Sequence, residues 1–598
     1  MQIPELLVPA KNIEYLKSVV NCGANSVYMG YSKYNARMFG TNFSEDDFRS
    51  GILYAHEHGV KVYLTMNTLI KESELQDATA LAMQAVEDGV DGIIVQDLGL
   101  AKTIKERVPY VHLHASTQMS VANHFGTSEL VNMGFLRVVL ARELNTDEIL
   151  QIKEFEQKNH PRPLEIEVFI QGGLCIAYSG QCLASSFFLG SSSNNGKCMM
   201  PCWDKYTLYE NATILDNGIL IRPKDLCGIT EIKRLIDGRI DSFKIQGRLR
   251  NKPYITEVTN IYRRLLDDYS ENMLTEQRFG EYYKCLQSVS PRGLTGGNLV
   301  EAVSDQLIIC NDSKSERISD VTTEQHPQNQ LGQFIESCRM PLMTGYKVTV
   351  VLHKLTTSFS YQMLTPTISR IYIPYRELVL PHNADIITQI AGLCDVYIYM
   401  PPMITERNCE HVYSSIYPLL QKYKLKGVVL SNISDFCLLD NSSAGRYTFI
   451  AGNHLHVTNH ATCEMLKAYG ISCATLSLEL SSKDAYDIAQ RSRLPLEQMI
   501  FGHPDLMHMK YCILKKRTNC GECTHCNIAG SKKRYKLSGL RCNFEAVLDS
   551  MQTESILFAA MPMNIPKTKW FGTSLRMDFL YETPEEINGI IASVLESK

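Results

Sequence analysis

The sequence predicts an α/β protein made of two (β/α)8 TIM-like barrels, of which the second is a degenerate copy of the first. Short apolar segments alternate with amphipathic helical segments that tend to end in glycine, as in parallel strand–helix units. Residues 121–144 also align without a gap with residues 457–480. A doubly wound sheet is the alternative, but no G-x-G-x-x-G follows the first strand.

The first barrel is predicted over residues 1–265, with a cysteine-rich insertion at 173–241. Eight strand–helix units in about 250 residues fit a closed barrel better than an open sheet. The predicted strands are 5–10, 26–31, 61–67, 92–97, 111–116, 137–142, 165–172 and 242–248.

The second half repeats the first. In the ungapped alignment Asn123 meets Asn459 and His124 meets His460, and after a six-residue deletion Cys182 meets Cys512. We therefore predict an internal duplication, with a helical extension and linker over 266–345 and the second barrel over 346–598. Its predicted strands are 346–354, 370–375, 396–402, 427–432, 448–453, 473–480, 498–503 and 574–582.

Composition excludes several classes of protein. The 60 Lys and Arg residues are balanced by 64 Asp and Glu, so a strongly basic nucleic-acid-binding domain is absent and only a local RNA-binding patch is conceivable. No apolar run approaches the ~18–20 residues of a membrane span, and the N-terminus does not resemble a signal peptide. We expect a soluble cytoplasmic protein without a membrane partner.

The 19 cysteines are unusual for such a protein, and ten of them fall in two windows. In a reducing compartment, clustered thiols indicate a metal site rather than disulfides. The irregular spacing of the first window favours an iron–sulfur cluster over zinc, whereas zinc remains the alternative for the denser second window. The windows are Cys175, Cys182, Cys198, Cys202 and Cys227, and Cys512, Cys520, Cys523, Cys526 and Cys542.

Polar residues follow most strands of the first barrel, at the ends where barrel enzymes place their chemistry. Their convergence predicts a pocket covered by the 173–241 insertion. These residues are Asn67, Gln96, Asp97, His114, Ser116, Arg142, Gln171 and Arg248.

Several segments resemble peptidase family U32, the so-called collagenase-like proteases. They are PELLVPAKN, GANSVYMGY, STQMSVANHFG, EVFIQGGLCIAYSGQCLAS, GKCMMPC, PKDLC and DSFKIQGR. The resemblance implies a barrel with a [4Fe-4S] cluster and an oxygen-independent hydroxylase, acting on tRNA, 23S rRNA or a ubiquinone precursor. Prephenate is the oxygen source that the resemblance implies, and the duplicated architecture is most similar to the rRNA-hydroxylating members.

Carried over to this sequence, the resemblance implies cluster ligands at Cys175, Cys182, Cys198 and Cys227, with Cys202 as the alternative. In the second window Cys512, Cys520, Cys523 and Cys526 would hold a second cluster, with Cys542 as the alternative fourth ligand. Lys11, Gln171 and Gln246 stand where the family commonly has Gly, His and Glu. These departures lie at strand ends and leave open a substrate other than those of the best-known members.

The resemblance and the residue chemistry together assign roles. His114, Ser116, Gln118 and Arg142 are the candidate catalytic residues for acceptor binding or proton transfer. Arginines suit the two carboxylates of prephenate. The candidate substrate-binding residues are Arg37, Asn67, Asp97, Asn123 and Arg248. An external electron donor is expected, and the best RNA-binding patch is Lys515, Lys516, Arg517, Lys532, Lys533 and Arg534.

Two other functions remain as alternatives. A small aromatic or quinone precursor could replace RNA as the hydroxylated substrate. A peptidase is the minority alternative, because the chain has neither H-E-x-x-H nor G-x-S-x-G, although Cys175 or Cys182 could serve as a nucleophile.

Overall fold

The computed structural model describes residues 3–300, 307–309, 346–355, 364, 366–439, 445–514, 533–549 and 554–596. Among these residues, no helix has both the length and the apolar character needed to cross a bilayer.

Eight parallel strands close the first barrel, because the last of them pairs with both the first and the seventh. All eight predicted strands are confirmed. They are β1 (Glu5–Pro9), β2 (Ser26–Met29), β3 (Lys61–Met66), β4 (Gly92–Val95), β5 (Leu113–Ala115), β6 (Arg137–Val139), β7 (Glu165–Gly173) and β11 (Ser242–Ile245).

Helices surround this barrel and supply the outer half of its apolar core. They are α1 (Ile13–Asn21), α2 (Glu45–Glu57), α3 (Leu75–Glu87), α4 (Leu98–Arg107), α5 (His124–Asn132), α6 (Thr146–Asn159), α8 (Ile232–Asp237), α9 (Lys252–Ser270) and α10 (Glu276–Val289). The predicted boundary at residue 265 falls inside α9, which packs against β1 and α1 as the last barrel helix. Beyond α10, the short strand β12 (Leu294–Thr295) pairs with β10 (Asp225–Cys227).

The second barrel is also closed by eight parallel strands. They are β13 (Lys347–Leu352), β14 (Ile368–Pro374), β15 (Asp395–Tyr399), β16 (Gly427–Leu430), β17 (Thr448–Ala451), β18 (Cys473–Thr475), β19 (Leu496–Gly502) and β25 (Ser574–Phe579). Its helices are α11 (Tyr375–Leu378), α12 (Ala384–Ala391), α13 (Glu406–Lys422), α14 (His460–Ala468), α15 (Ser482–Arg491) and α16 (Pro584–Glu596). The duplication is confirmed, and the copy is reduced in its helices rather than its strands: a 3₁₀ turn over Ile433–Leu438 stands where the first barrel has α4.

The insertions that follow the seventh strand of each barrel join in one antiparallel sheet of six strands. The first insertion contributes α7 (Ala184–Leu189), β8 (Tyr206–Glu210) and β9 (Thr213–Gly218). The second contributes β20 (Asp505–Met509), β21 (Tyr535–Gly539), β22 (Asn543–Asp549) and β23 (Glu554–Ala559), and its short β24 (Met563–Asn564) pairs with β19. Pairing of β21 with β8 links the two insertions. One sheet therefore follows the seventh strands of both barrels.

Matching residues of the repeat hold the barrels together in a pseudo-symmetric way. Asn123 caps α5 and donates from Nδ2 to the carbonyl of Ile404 at 2.7 Å, while Asn459 caps α14 and donates to that of Ile70 at 2.8 Å. The adjacent His124 and His460 contact Glu406 and Glu72 through both backbone N–H and ring nitrogen. The structure therefore places Asn123 between the barrels, which corrects the expectation that it binds substrate.

Candidate active site

Four thiols of the first insertion come together over the mouth of the first barrel. Cys175 follows β7, Cys182 precedes α7, and Cys198 and Cys202 lie between α7 and β8. Burial and the neighbouring Cys198 raise the pKa of Cys175 to about 11. Burial and then the other thiols raise the pKa values of Cys182 and Cys202 well above the usual range. These effects place the four thiols in one neighbourhood, in which Cys175 and Cys198 are still accessible to solvent.

Cys227, the fourth ligand that the resemblance implies, differs from these four thiols in its surroundings, and its assignment stays a prediction. It ends β10 with 3% of its surface exposed and packs in the apolar core of the first barrel. Burial raises the pKa of its thiol to about 11, against the N–H of Ile229 and the hydroxyl of Tyr262, which lower it. Cys202, the alternative ligand, is the thiol whose pKa the other three raise.

Three arginines surround the same opening. Arg248, after β11, donates to Asn35 and Thr65 at 3.1 Å each and also contacts Asn42. Arg142, after β6, donates to the carbonyl of Gly173 at 2.9 Å, and its guanidinium lies 3.9 Å from the centre of the Phe169 ring.

The third arginine, Arg37, makes this opening strongly cationic. Burial and repulsion from Arg37 lower the pKa of Arg248 to about 10, although Tyr28 acts to raise it. Burial and repulsion from Arg37 also lower the pKa of Arg142, which the thiol of Cys175 opposes. The buried Nε atoms of Arg142 and Arg248 have no hydrogen-bond partner among the described residues. The mouth therefore has cationic charge and donors to offer an anion.

Asn67, Ser116 and Gln118 line the mouth but are engaged in local contacts. Asn67 accepts from the N–H of Ala36 at 3.1 Å, which fixes the loop that carries Arg37. The Ser116 hydroxyl caps a 3₁₀ turn by accepting from the N–H of Gln118 at 3.2 Å. Gln118 donates to Gln96 at 3.1 Å, beside a cavity between the two barrels.

His114 lies inside the barrel rather than at its mouth. Its ring packs edge-on against Tyr63 at 4.6 Å, and the residue pairs in strand register with Arg137. Arg137 belongs to an ion-pair layer formed by residues that begin strands, including Glu5 at 2.7 Å. Burial and the charge of Arg137 lower the pKa of His114 well below its usual range. This placement corrects the expectation of a catalytic role at the mouth.

Asp97 also lies outside the cysteine-lined opening. Its carboxylate caps α4 by accepting from Leu100 at 2.8 Å, and it accepts from Thr458 and Asn459 of the second barrel at 3.0 Å each. Burial raises its pKa, and these hydrogen bonds oppose the rise. Asp97 therefore links the barrels, which corrects its assignment to substrate binding.

Glu143 is a residue of the site that the sequence interpretation missed. It is fully surrounded by protein, and burial raises its pKa to about 7 while Arg142 and Lys510 lower it. Its Oε2 atom has no hydrogen-bond partner in the described part of the chain. The repeat could have revealed Glu143, because it aligns there with Glu479. Glu479 accepts a hydrogen bond from Asn194 at 2.8 Å and another from Ser186 of the cysteine insertion.

The three departures from the family pattern are accounted for by internal contacts. Gln171 accepts from Tyr262 at 3.0 Å on the helical side of the sheet, and Gln246 accepts from the N–H of Gly173 at 2.8 Å. Lys11 donates to the carbonyl of Arg250 at 3.3 Å. Gln246 thus positions the start of the cysteine insertion.

The second cysteine window is only partly described. Cys520, Cys523 and Cys526 lie outside the described residues, as do Lys515, Lys516, Arg517 and Lys532. Cys512 and Cys542 both pack in the apolar core of the six-stranded sheet. Burial raises the pKa of Cys542 to about 12. Lys533 pairs with Glu210, and Arg534 lies 4.4 Å from the centre of the Tyr581 ring.

Comparisons with known proteins place these features in a family. A model of peptidase family U32 matches residues 11–308, which cover the first barrel except its first strand, β1. An uncharacterised protease of Methanocaldococcus jannaschii is 36% identical over 50% of this chain and 73% of its own. The tRNA hydroxylation protein P1 of Bacillus subtilis is 37% identical over 46% of this chain and 67% of its own. The 23S rRNA 5-hydroxycytidine synthase of Escherichia coli is 36% identical over 44% of this chain but only 39% of its own. The chain therefore belongs to peptidase family U32.

Proposed function

We propose that the protein is an RNA-modifying hydroxylase that works without molecular oxygen, uses a [4Fe-4S] cluster and takes its oxygen atom from prephenate. Relatives named for tRNA and rRNA hydroxylation support RNA as the substrate class. The observation that carries the proposal is the meeting of four thiols and three arginines at one barrel mouth.

The donor set fits the cluster. Cys175, Cys182, Cys198 and Cys202 provide the four thiolates that such a cluster needs, without a fixed sequence interval. When bound, a [4Fe-4S] cluster supplies one-electron transfer. Arg37 and Arg142 lie close enough to oppose the rise in the pKa of Cys175, so they stabilise thiolate over thiol at this ligand.

The arginines can bind the oxygen donor. Prephenate carries two carboxylates, and planar guanidinium groups bind carboxylates with paired hydrogen bonds. Arg248 is held by Asn35, Thr65 and Asn42, while Arg142 is held against the Phe169 ring. Because these contacts fix both groups before substrate arrives, little side-chain entropy is lost on binding.

Glu143 can exchange a proton at the same site. Its pKa of about 7 lets the carboxyl group both accept and donate a proton near neutral pH. Removal of a proton from a C–H position on the pyrimidine requires such a group, and Glu143 is the neighbour of Arg142 in the chain. We assign Glu143 as the general base.

A groove beside the mouth suits a nucleic acid. It has an empty volume of about 1050 Å³ and runs between the cysteine insertion and the second barrel. Lys33, Lys71 and Lys197 line it, together with Met38, which neighbours Arg37. Lysines contact phosphates, and a base turned out of the RNA could then enter the mouth.

The experiment is a deletion strain analysed by mass spectrometry of tRNA and rRNA nucleosides. We expect one hydroxylated pyrimidine to disappear and to return with the wild-type gene but not with Arg142→Met. Unchanged RNA together with altered quinones would favour the small-ring alternative. Unchanged RNA and quinones would contradict hydroxylation and return attention to peptidase activity.

A further inference from the structure

We propose that the mouth of the second barrel holds a divalent transition-metal ion through His454, Asp505 and His508. Their Nε2, Oδ2 and Nε2 atoms lie within 4.8 Å of one another, and all three residues are buried. This site is separate from the cysteine cluster and does not depend on the proposed RNA hydroxylation.

The three atoms converge from two elements. His454 lies in the 3₁₀ turn over Asn453–Leu455 after β17, and Asp505 and His508 lie on β20. The Nε2 of His454 is 2.8 Å from Asp505 Oδ2, and the Nε2 of His508 is 3.0 Å from the same oxygen. Ligand atoms bound to one metal at about 2.1 Å stand roughly this far apart.

The outer nitrogen of each histidine is already fixed. His508 Nδ1 lies 2.6 Å from Glu554 Oε1, and His454 Nδ1 lies 2.9 Å from Gln181 Oε1. The orientation of the Gln181 amide is supported by its Nε2, which donates to the carbonyl of His454 at 3.3 Å. Both partners are acceptors, so each Nδ1 carries a proton. Each Nε2 faces Asp505 Oδ2, which is also an acceptor, so without a metal this nitrogen can hold a second proton, and a bound metal would replace it. Histidine ligands of metals are oriented in this way.

A divalent ion bound by the three facing atoms would displace the protons that otherwise link them. Asp505 Oδ1 is also buried, and no described residue forms a hydrogen bond with it. The cavity at this mouth has about 20 Å³ of space accessible to water, enough for one molecule. Besides histidines, it is lined by Arg376 and by the carboxylates of Asp505, Asp549 and Glu554. These carboxylates favour a bound cation, and the space leaves room for one water as a further ligand.

The donor set identifies the class of metal. Two imidazole nitrogens and one carboxylate oxygen favour zinc or ferrous iron over magnesium or calcium, which prefer oxygen alone. Three protein ligands leave an open coordination position, as in catalytic rather than structural sites.

The test is cobalt titration of the full-length, chelator-treated protein, followed by visible absorption, with total metal measured by mass spectrometry. We expect one equivalent of Co²⁺ with ligand-field bands that persist in a Cys175→Ser/Cys182→Ser variant, which separates this site from the thiols. Asp505→Asn and His508→Gln should each lose that equivalent. Glu554→Gln, which changes only the outer contact, should weaken Co²⁺ binding about 10–100-fold.

Crystals of the wild-type protein soaked with zinc test the position without any variant. Anomalous diffraction at the zinc edge should show a peak about 2.1 Å from the ligand atoms of His454, Asp505 and His508. An empty site after the soak, or an unchanged cobalt equivalent in both Asp505→Asn and His508→Gln, would overturn the proposal. Thermal unfolding of each variant with and without metal separates lost binding from lost folding, since a folded variant that gains no stability from metal supports the site.

Discussion

The two barrel mouths occupy equivalent places in a duplicated fold but offer different chemistry. The alignment that pairs Cys182 with Cys512 also pairs Cys175 with Asp505 and Tyr178 with His508. The ungapped block, extended by three residues, pairs Gln118 with His454. One thiol of the first mouth, Cys175, is thus replaced by a carboxylate, and two polar side chains are replaced by imidazoles, while Cys182 keeps its sulfur as Cys512. The barrel fold is therefore the same in both halves while the side chains at its mouth differ, so the fold alone does not determine the chemistry of the site.

The arginines of the two mouths differ in the same way. Arg142 and Arg248 leave donors unpaired and repel Arg37, so the first mouth is ready for an external anion. Arg576 in the second barrel is fully buried and bonds to Asp578 through two contacts of 2.7 Å. Its charge is neutralised within the protein, so we assign it a structural role.

The largest expected effect is a loss of iron, which distinguishes Cys202 from Cys227 as the fourth cluster ligand. Iron and acid-labile sulfide measured in anaerobically purified protein should fall from about four each per chain to near zero in Cys175→Ser and Cys202→Ser. The matched control Cys227→Ser should keep its iron, because that thiol lies in the core away from the cluster. Iron loss in Cys227→Ser with iron retained in Cys202→Ser would reverse the assignment. A total of about eight iron atoms in the wild type would add a cluster in the second window.

The next effect concerns anion binding at the first mouth. Arg248→Lys keeps a positive charge but loses the planar fork, so we expect prephenate binding to weaken by roughly 10–100-fold, the equivalent of about 1.5–3 kcal/mol. Isothermal titration with prephenate on the anaerobic protein measures this directly. Lys533→Met, which removes a surface ion pair with Glu210, is the control. Equal affinity in wild type and Arg248→Lys would remove Arg248 from the binding site.

A third prediction tests the structural role of the second-barrel arginine. Arg576→Met leaves Asp578 buried without its strongest partner, which should cost about 3–5 kcal/mol of unfolding free energy. His353 Nε2, 2.8 Å from Asp578 Oδ2, can offset part of this loss. Urea unfolding measures the change, while the iron content of the folded fraction should match the wild type. A loss of iron from a stable Arg576→Met variant would instead show that the second barrel influences iron binding in the first.

The barrels could be predicted from local pattern, but the shared sheet and the contacts between barrels could not. Each barrel strand is a short apolar run next to a helical segment, so its period is visible in the sequence. The six-stranded sheet depends on pairing between β8 and β21, which lie more than 300 residues apart in the chain. Nothing local distinguishes Asn123 or Asp97 as links between barrels from polar residues at a strand end.

The candidate site could be predicted only in part, for a similar reason. The sequence proposed the arginines and all four neighbouring thiols, with Cys202 as an alternative, because strand ends and cysteine windows are visible in it. The choice of Cys202 over Cys227 required the path of the loop after α7. His454 and Asp505 are separated by about 50 residues and match no short metal motif, so only the structure brings them together.

The smallest expected effect compares wild type with Asp435→Asn as pH changes. Burial raises the pKa of Asp435 to about 6, and the N–H groups of Ser431 and Asn432 and the hydroxyl of Tyr413 oppose that rise. The folded state therefore holds its proton more tightly than the unfolded state, whose pKa is about 3.9. The stabilisation is complete below pH 3.9 and is lost as pH rises through 6, by at most about 3 kcal/mol.

The asparagine side chain does not titrate, so this part of the pH dependence should vanish in Asp435→Asn. Its Oδ1 can still accept the two backbone N–H groups that cap the turn after β16. Urea unfolding at pH 4.5, 5.5, 6.5 and 7.5 should show the difference in stability between the two proteins shifting in favour of the variant as pH rises. A difference that stays constant over this range would mean that Asp435 is ionised throughout. The Asp435 carboxylate would then accept the N–H groups of the turn after β16 in its charged form. It would differ from Asp97 in the first barrel, whose pKa is raised by burial.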